Sequence, residues 1–167
     1  MNSKFNAREV FEIARKIERN GYAFYKRAAE TTAKYPEASE FLRKLAEMEL
    51  VHEEQFSKMK DDFSPELETI PDAEKQALAY LQAMAEGKIF ENHNDPASRI
   101  TGRETLEELY HTAIGFEKDS VIFFTGIREV VPDKLGKERV DYLIKEEMCH
   151  IAILSRELAA ERANLKK

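Results

Sequence analysis

ELVH at residues 49–52 and EMCH at residues 147–150 decide how this chain folds. Each sets a carboxylate and an imidazole three residues apart in a helix-forming segment with apolar neighbours before and after, where a plain helix would bury leucine. On a helix, positions three, four and seven apart share a face. Counting from Glu49 reaches Leu42, Leu45, His52 and Phe56, and counting from Glu147 reaches Val140, Leu143, Ile144, His150, Ile151 and Leu154. Both pairs therefore interrupt apolar stripes.

Two more glutamates do the same. From Glu18 the helical steps give Phe11, Ala14, Tyr22 and Tyr25, and from Glu117 they give Tyr110, Ala113, Ile114, Val121 and Phe124. Glu18 precedes Glu49 by 31 residues and Glu117 precedes Glu147 by 30, so the chain reads as a repeat of glutamate followed by Glu-x-x-His. Four converging buried carboxylates repel one another and take up protons unless positive charge is supplied. Two divalent cations balance four carboxylates, and two neutral imidazoles complete the coordination without adding charge. Glu18, Glu49, His52, Glu117, Glu147 and His150 are accordingly the candidate ligands of a dinuclear site.

The motif alone carries little in a glutamate-rich chain, and Glu108-Leu-Tyr-His111 also fits it. Glu108 lies nine residues before Glu117 and thus faces the opposite side of its helix, which assigns that pair to solvent. His93 has no partner at ligand spacing and reads as a surface residue. Tyr25 and Tyr110 each stand seven residues from a site glutamate, either as core aromatics with tethered hydroxyls or as donors that orient carboxylates. Cys149, about 100° around the helix from His150, reads as a buried structural thiol.

The punctuation between these stripes predicts an all-α fold. A first helix runs over roughly residues 7–33, with Asn6 and Glu9 as a capping box. Tyr35-Pro36 breaks it, and a second helix continues to about Lys60. A long connection holding Pro65 and Pro71 includes a short helical stretch from Ala73 to Glu86, stopped by Gly87, and then turn chemistry at Asn94-Asp95-Pro96. Thr101 with Glu104 predicts a capping box for a third long helix over about 102–130. Val131-Pro132 ends it, and the last helix reaches about Ala163. The expected architecture is a four-helix bundle of two antiparallel hairpins joined by a long crossover, one domain spanning residues 1–167.

Composition agrees. An apolar share of 43% suffices for one substantial core. A net charge of −6 without a basic run argues against nucleic acid, no apolar run reaches bilayer length, and a single cysteine excludes an internal disulfide. MNSKFNAREV turns amphipathic at once, so a cytoplasmic location is expected.

The twofold pattern of glutamate then Glu-x-x-His resembles the ferritin-like di-iron carboxylate proteins, and most closely their rubrerythrin branch, over essentially the whole chain. The resemblance implies a ferritin-like bundle holding two iron ions, with other divalent metals as alternatives. Glu18 and Glu117 would be terminal ligands, Glu49 and Glu147 bridges, and His52 and His150 would cap one iron each. Tyr25 matches a tyrosine that hydrogen-bonds ligands in rubrerythrins. Two departures stand out: Ser120 occupies the position of an extra rubrerythrin glutamate, and these 167 residues hold one cysteine where a rubredoxin domain needs four. The expected function is a di-iron oxidoreductase reducing hydrogen peroxide or dioxygen, fed by an external electron donor such as a rubredoxin or its reductase. A homodimer is the expected assembly. The competing readings are an iron-binding or storage protein that only oxidises iron, and a metal-free structural bundle.

Overall fold

The computed structural model describes residues 7–62, 75–85, 96–133 and 136–166. Helix α1 spans Ala7–Thr31, α2 Pro36–Asp62, α3 Lys75–Ala85, α4 Leu106–Val130 and α5 Lys137–Asn164, with a 3-10 turn at Pro96–Arg99. Pro36 opens α2 at the first helical position, where its missing N–H costs nothing. The α1–α2 turn is closed by Ser39, whose buried hydroxyl donates to the Ala29 carbonyl at 2.8 Å. Val131 caps the end of α4, and Gly136, at φ +109°, precedes α5.

These short turns make α1 and α2 one antiparallel pair and α4 and α5 the other. The pairs close through α1 against α4 and α2 against α5, while α3, in the crossover, lies along α4. Gly126 permits that last approach: a Cβ there would sit 2.8 Å from Leu81 Cδ2 and 3.1 Å from Tyr80 Cε1.

The start of α4 differs from the sequence expectation. The capping box is made by Thr105 and Glu108, and the helix begins at Leu106 rather than near 102. Thr101 and Glu104 do make cap-like bonds, since Glu104 accepts from the Thr101 N–H and hydroxyl at 2.9 and 2.8 Å and from the Gly102 N–H at 2.9 Å. Gly102, at φ +86°, carries the chain into the left-handed region, so this turn cannot propagate as a helix. The Glu108 that sequence phase assigned to solvent is exposed, and its function is to cap. Asn6, Ala73, Glu86, Gly87, His93, Asn94 and Asp95, on which other turn and cap expectations fell, lie outside the described residues.

Two apolar clusters fill the bundle. One joins Phe11, Phe56, Met59, Phe123, Phe124 and Leu143 with Leu81 and Met84 of α3, and the other joins Phe24, Tyr25, Leu42, Leu45, Leu109 and Leu154. The first gathers the start of α1 with the end of α2, the end of α4 and the start of α5; the second gathers the opposite ends. Between them, at mid-height, each of the four long helices turns one or two polar side chains inward.

Phe56 is fully buried and packs against Phe124 at 4.7 Å between ring centroids. Phe56→Ala is expected to cost about 3–5 kcal/mol in chemical denaturation of the metal-free protein. Ile122→Ala, at a site 47% exposed, should change stability by less than about 0.5 kcal/mol.

Candidate metal centre

The polar layer contains the six residues singled out by spacing. Glu18 comes from α1, Glu49 and His52 from α2, Glu117 from α4, and Glu147 and His150 from α5, and all are buried. They form two groups, Glu18, Glu49, His52 and Glu147, and Glu49, Glu117, Glu147 and His150. In each group one donor atom per residue lies within 4.8 Å of the others. Glu49 and Glu147 belong to both. The three-residue step in ELVH and EMCH explains this, because it places carboxylate and imidazole on adjacent turns of one inward face.

Glu147 lies at the middle of the cluster. Its Oε1 is 2.7 Å from His52 Nδ1 and its Oε2 is 3.2 Å from His150 Nδ1, so its two oxygens face different histidines. His150 Nδ1 also lies 3.4 Å from Glu117 Oε1 and 3.6 Å from Glu49 Oε1. The two imidazole rings are nearly parallel, 16° apart in plane with centroids separated by 5.5 Å. Despite this proximity, both oxygens of Glu18, Oε1 of Glu49, Nδ1 of His52, Oε1 of Glu147 and Nε2 of His150 have no hydrogen-bond partner. His52 Nδ1 and Glu147 Oε1 are close but not aligned for a hydrogen bond. A native core rarely leaves so many buried polar atoms unsatisfied, and cations between them would serve the carboxylate oxygens and His52 Nδ1 together, with His150 facing the same space through Nδ1. The donor set, four carboxylates and two imidazoles with two carboxylates common to both groups, fits two divalent ions.

The electrostatics of the chain alone say the same. Burial pushes the Glu18 and Glu49 carboxyls well above the ordinary range, and neighbouring glutamates add to it. Burial likewise raises Glu117, to about 8. Burial opposes ionisation of Glu147 too, but the hydrogen bond with His150 and the close approach of His52 outweigh it and hold that carboxyl low. Burial also disfavours the His150 imidazolium, yet Glu117 and Glu147 hold its pKa at about 11. Protons thus stand in where positive charge is lacking, and metal binding would release them.

Tyr25 donates its hydroxyl to Glu117 Oε1, reaching across from α1 to α4. Tyr110 is not brought to the cluster. Its ring packs edge-on to Phe41, its hydroxyl is raised to about 12 by burial and then by Glu157 and Glu161, and the residue lines a cleft of about 520 Å³ with Lys34, Glu37 and Asn164. Helical side chains lean toward the N-terminus of their helix. Tyr25 follows Glu18 and leans back toward the centre, whereas Tyr110 precedes Glu117 and leans away. Cys149 is exposed rather than buried, because the inward stripe of α5 is narrow and a step of about 100° leaves it. His111 is exposed, beside Arg162 at 2.8 Å. Ser120 is buried, with its hydroxyl on the Phe116 carbonyl at 3.2 Å.

Two features escaped the sequence reading. Arg15 and Arg19 bind Glu53 at 2.8 and 2.9 Å beside the cluster, and the Glu53 charge contributes to raising Glu18. Gly21, one turn beyond Glu18, lies directly against the Glu49 carboxylate. A glycine inside a helical pattern was the available signal for the second; nothing in the spacing marked the first.

The raised carboxyls set the pH response of the metal-free form. A group whose folded pKa exceeds its unfolded value binds more protons when folded, so its stabilisation is full below the unfolded value and is lost as pH rises through the folded one. Glu117, at about 8 against an ordinary 4.5, and His150, at about 11 against 6.5, both act in this sense. Between pH 5 and pH 8 the Tm of chelator-treated protein is expected to fall by on the order of 10 °C, with metal restoring most of it at pH 8. A Tm of the metal-free protein that holds steady or rises over that range would contradict this description of the cluster.

Comparison with known proteins follows the same lines. Among solved structures the chain is similar to a protein from Thermotoga maritima described as a ferritin-like diiron-carboxylate protein. The two share 21% identity and a TM-score of 0.68, with 92% of this chain and 95% of that chain covered, a likeness of fold. No curated protein matches the chain. The Rubrerythrin family model matches residues 9–158. Because that span covers most of the chain and contains all six inward donors, the chain belongs to the Rubrerythrin family.

Proposed function

We propose that this protein is a di-iron oxidoreductase that reduces hydrogen peroxide or dioxygen with electrons from an external donor. The observation that carries the reading is the set of buried carboxylate and imidazole donors, several of their atoms without a hydrogen-bond partner, arranged as two groups sharing Glu49 and Glu147. Carboxylate-rich sites with two imidazoles suit iron, and two ferrous ions together supply the two electrons that convert peroxide to water or dioxygen to peroxide.

The chain's own part is to hold, orient and exclude. His52 and His150 must be neutral to offer Nδ1, so the proton that His150 keeps in the metal-free state leaves on loading. Tyr25 fixes the rotation of the Glu117 carboxylate through its hydroxyl. Phe11, Phe56 and Phe124 on one side and Phe24, Leu42 and Leu45 on the other exclude bulk water, which favours a small uncharged oxidant over a bulky substrate. Among the described residues no helix is long and apolar enough to cross a membrane, and the donor we envisage is a separate protein such as a rubredoxin or its reductase.

Anaerobic titration should show two ferrous ions per chain, with uptake abolished or reduced to weak binding in Glu147→Ala. Continued uptake far beyond two would identify an iron store instead, and no uptake would leave a structural bundle. With iron loaded, mixing with peroxide or dioxygen should give rapid oxidation. Tyr25→Phe should retain two irons yet slow that oxidation roughly 10- to 100-fold; an unchanged rate would remove Tyr25 from the machinery.

A further inference from the structure

Gly21 stands in the middle of α1, one turn after Glu18, where glycine weakens a helix. Its backbone does not explain it: the positive-φ glycines among the described residues are Gly102 and Gly136. What lies beside it does. A Cβ built on Gly21 would be 2.8 Å from Glu49 Oε2, 3.0 Å from Cδ and 3.3 Å from Cγ, so the Glu49 carboxylate rests against bare α1 backbone. The other half of the chain provides an internal comparison. The shift that carries Glu18 onto Glu117 carries Gly21 onto Ser120, where a side chain is accommodated with its hydroxyl turned to the Phe116 carbonyl. Gly115, a second mid-helix glycine, would present a Cβ to nothing within 4 Å.

We propose that Gly21 is a positioning residue of the metal centre: the missing side chain on α1 is the space that the Glu49 carboxylate occupies. The inference rests on the metal-binding reading of the cluster. Glu49 belongs to both donor groups, so a displaced Glu49 disturbs both ion positions. The atoms a Cβ would strike are the flexible end of a side chain, not backbone. Alanine at 21 is therefore absorbed by moving that carboxylate, while α1 gains helix propensity. Folding and metal binding respond in opposite directions.

The test compares wild type, Gly21→Ala, Gly115→Ala, Glu49→Ala and the Gly21→Ala/Glu49→Ala pair by metal-free Tm and by anaerobic ferrous affinity against a competing chelator. Metal-free crystals of wild type and Gly21→Ala complete it. Both glycine replacements should raise the metal-free Tm by about 3 °C. Gly21→Ala alone of the two should weaken ferrous binding, by roughly 10- to 100-fold, and should add no further loss in the Glu49→Ala background. The Glu49 carboxylate should be displaced in the Gly21→Ala crystals. Wild-type affinity in Gly21→Ala, an equal further loss without Glu49, or an unmoved Glu49 carboxylate would each overturn the proposal. A wild type that takes up no iron would end the functional reading instead, and the position of Glu49 in the two metal-free crystals would still decide the role of Gly21.

Discussion

Four carboxylates enclosed at mid-height between two apolar clusters impose the constraint on which this structure depends. In water each would be ionised at little cost, but among Phe56, Phe124, Leu42 and Leu143 ionisation is opposed by lost solvation and by the neighbouring carboxylates. The cluster is tenable only with compensating positive charge. The chain can supply part of it as protons, on His150 and on the raised carboxyls, and two divalent ions supply it more completely. The same dry surroundings that make the layer costly without metal would strengthen each metal–ligand contact and keep bulk water from the site.

The fold is suited to this because four helices approach one axis and each spends one turn on the polar layer. ELVH and EMCH put two donors on α2 and two on α5, while α1 and α4 give one each. Glu147, with one oxygen toward each histidine, ties α5 to α2 across the two helical pairs. The polar layer therefore orders the bundle as well as offering ligands: the phase of all four helices must agree for the groups to meet.

The internal repeat is imperfect where it matters. Moving Tyr25 by the shift that relates Glu18 to Glu117 lands on Phe124, which has no hydroxyl. Glu117 is accordingly held by Tyr25, while both oxygens of Glu18 lack a hydrogen-bond partner. Gly21 against Ser120 is a second asymmetry, and it bears on Glu49. The two ion positions thus share ligand types but not the groups that fix those ligands. Ser120 also marks a departure from the rubrerythrin pattern: it carries no carboxylate, and its hydroxyl is engaged with its own helix.

Helix phase and proline placement are local properties, and they made most of this legible in the linear chain. Apolar residues at steps of three and four located the long helices, Pro36 and Pro132 located the breaks, and the glutamates interrupting those stripes located the six donors. Where local chemistry offered near-equal choices, tertiary or backbone context decided. Thr101 with Glu104 and Thr105 with Glu108 are both cap signals, and the left-handed Gly102 settled which one starts α4. Cys149 was placed by the width of the inward stripe of α5, and Tyr110 by the lean of helical side chains, neither of which a count of residues contains. By itself, then, the sequence determined the helices, their inward faces and the donors on them, since these follow from periodicity within each segment. Only the tertiary structure decided that Tyr25 serves Glu117 across the bundle and that Glu49 lies on Gly21, because these depend on the distance and angle between helices remote in sequence.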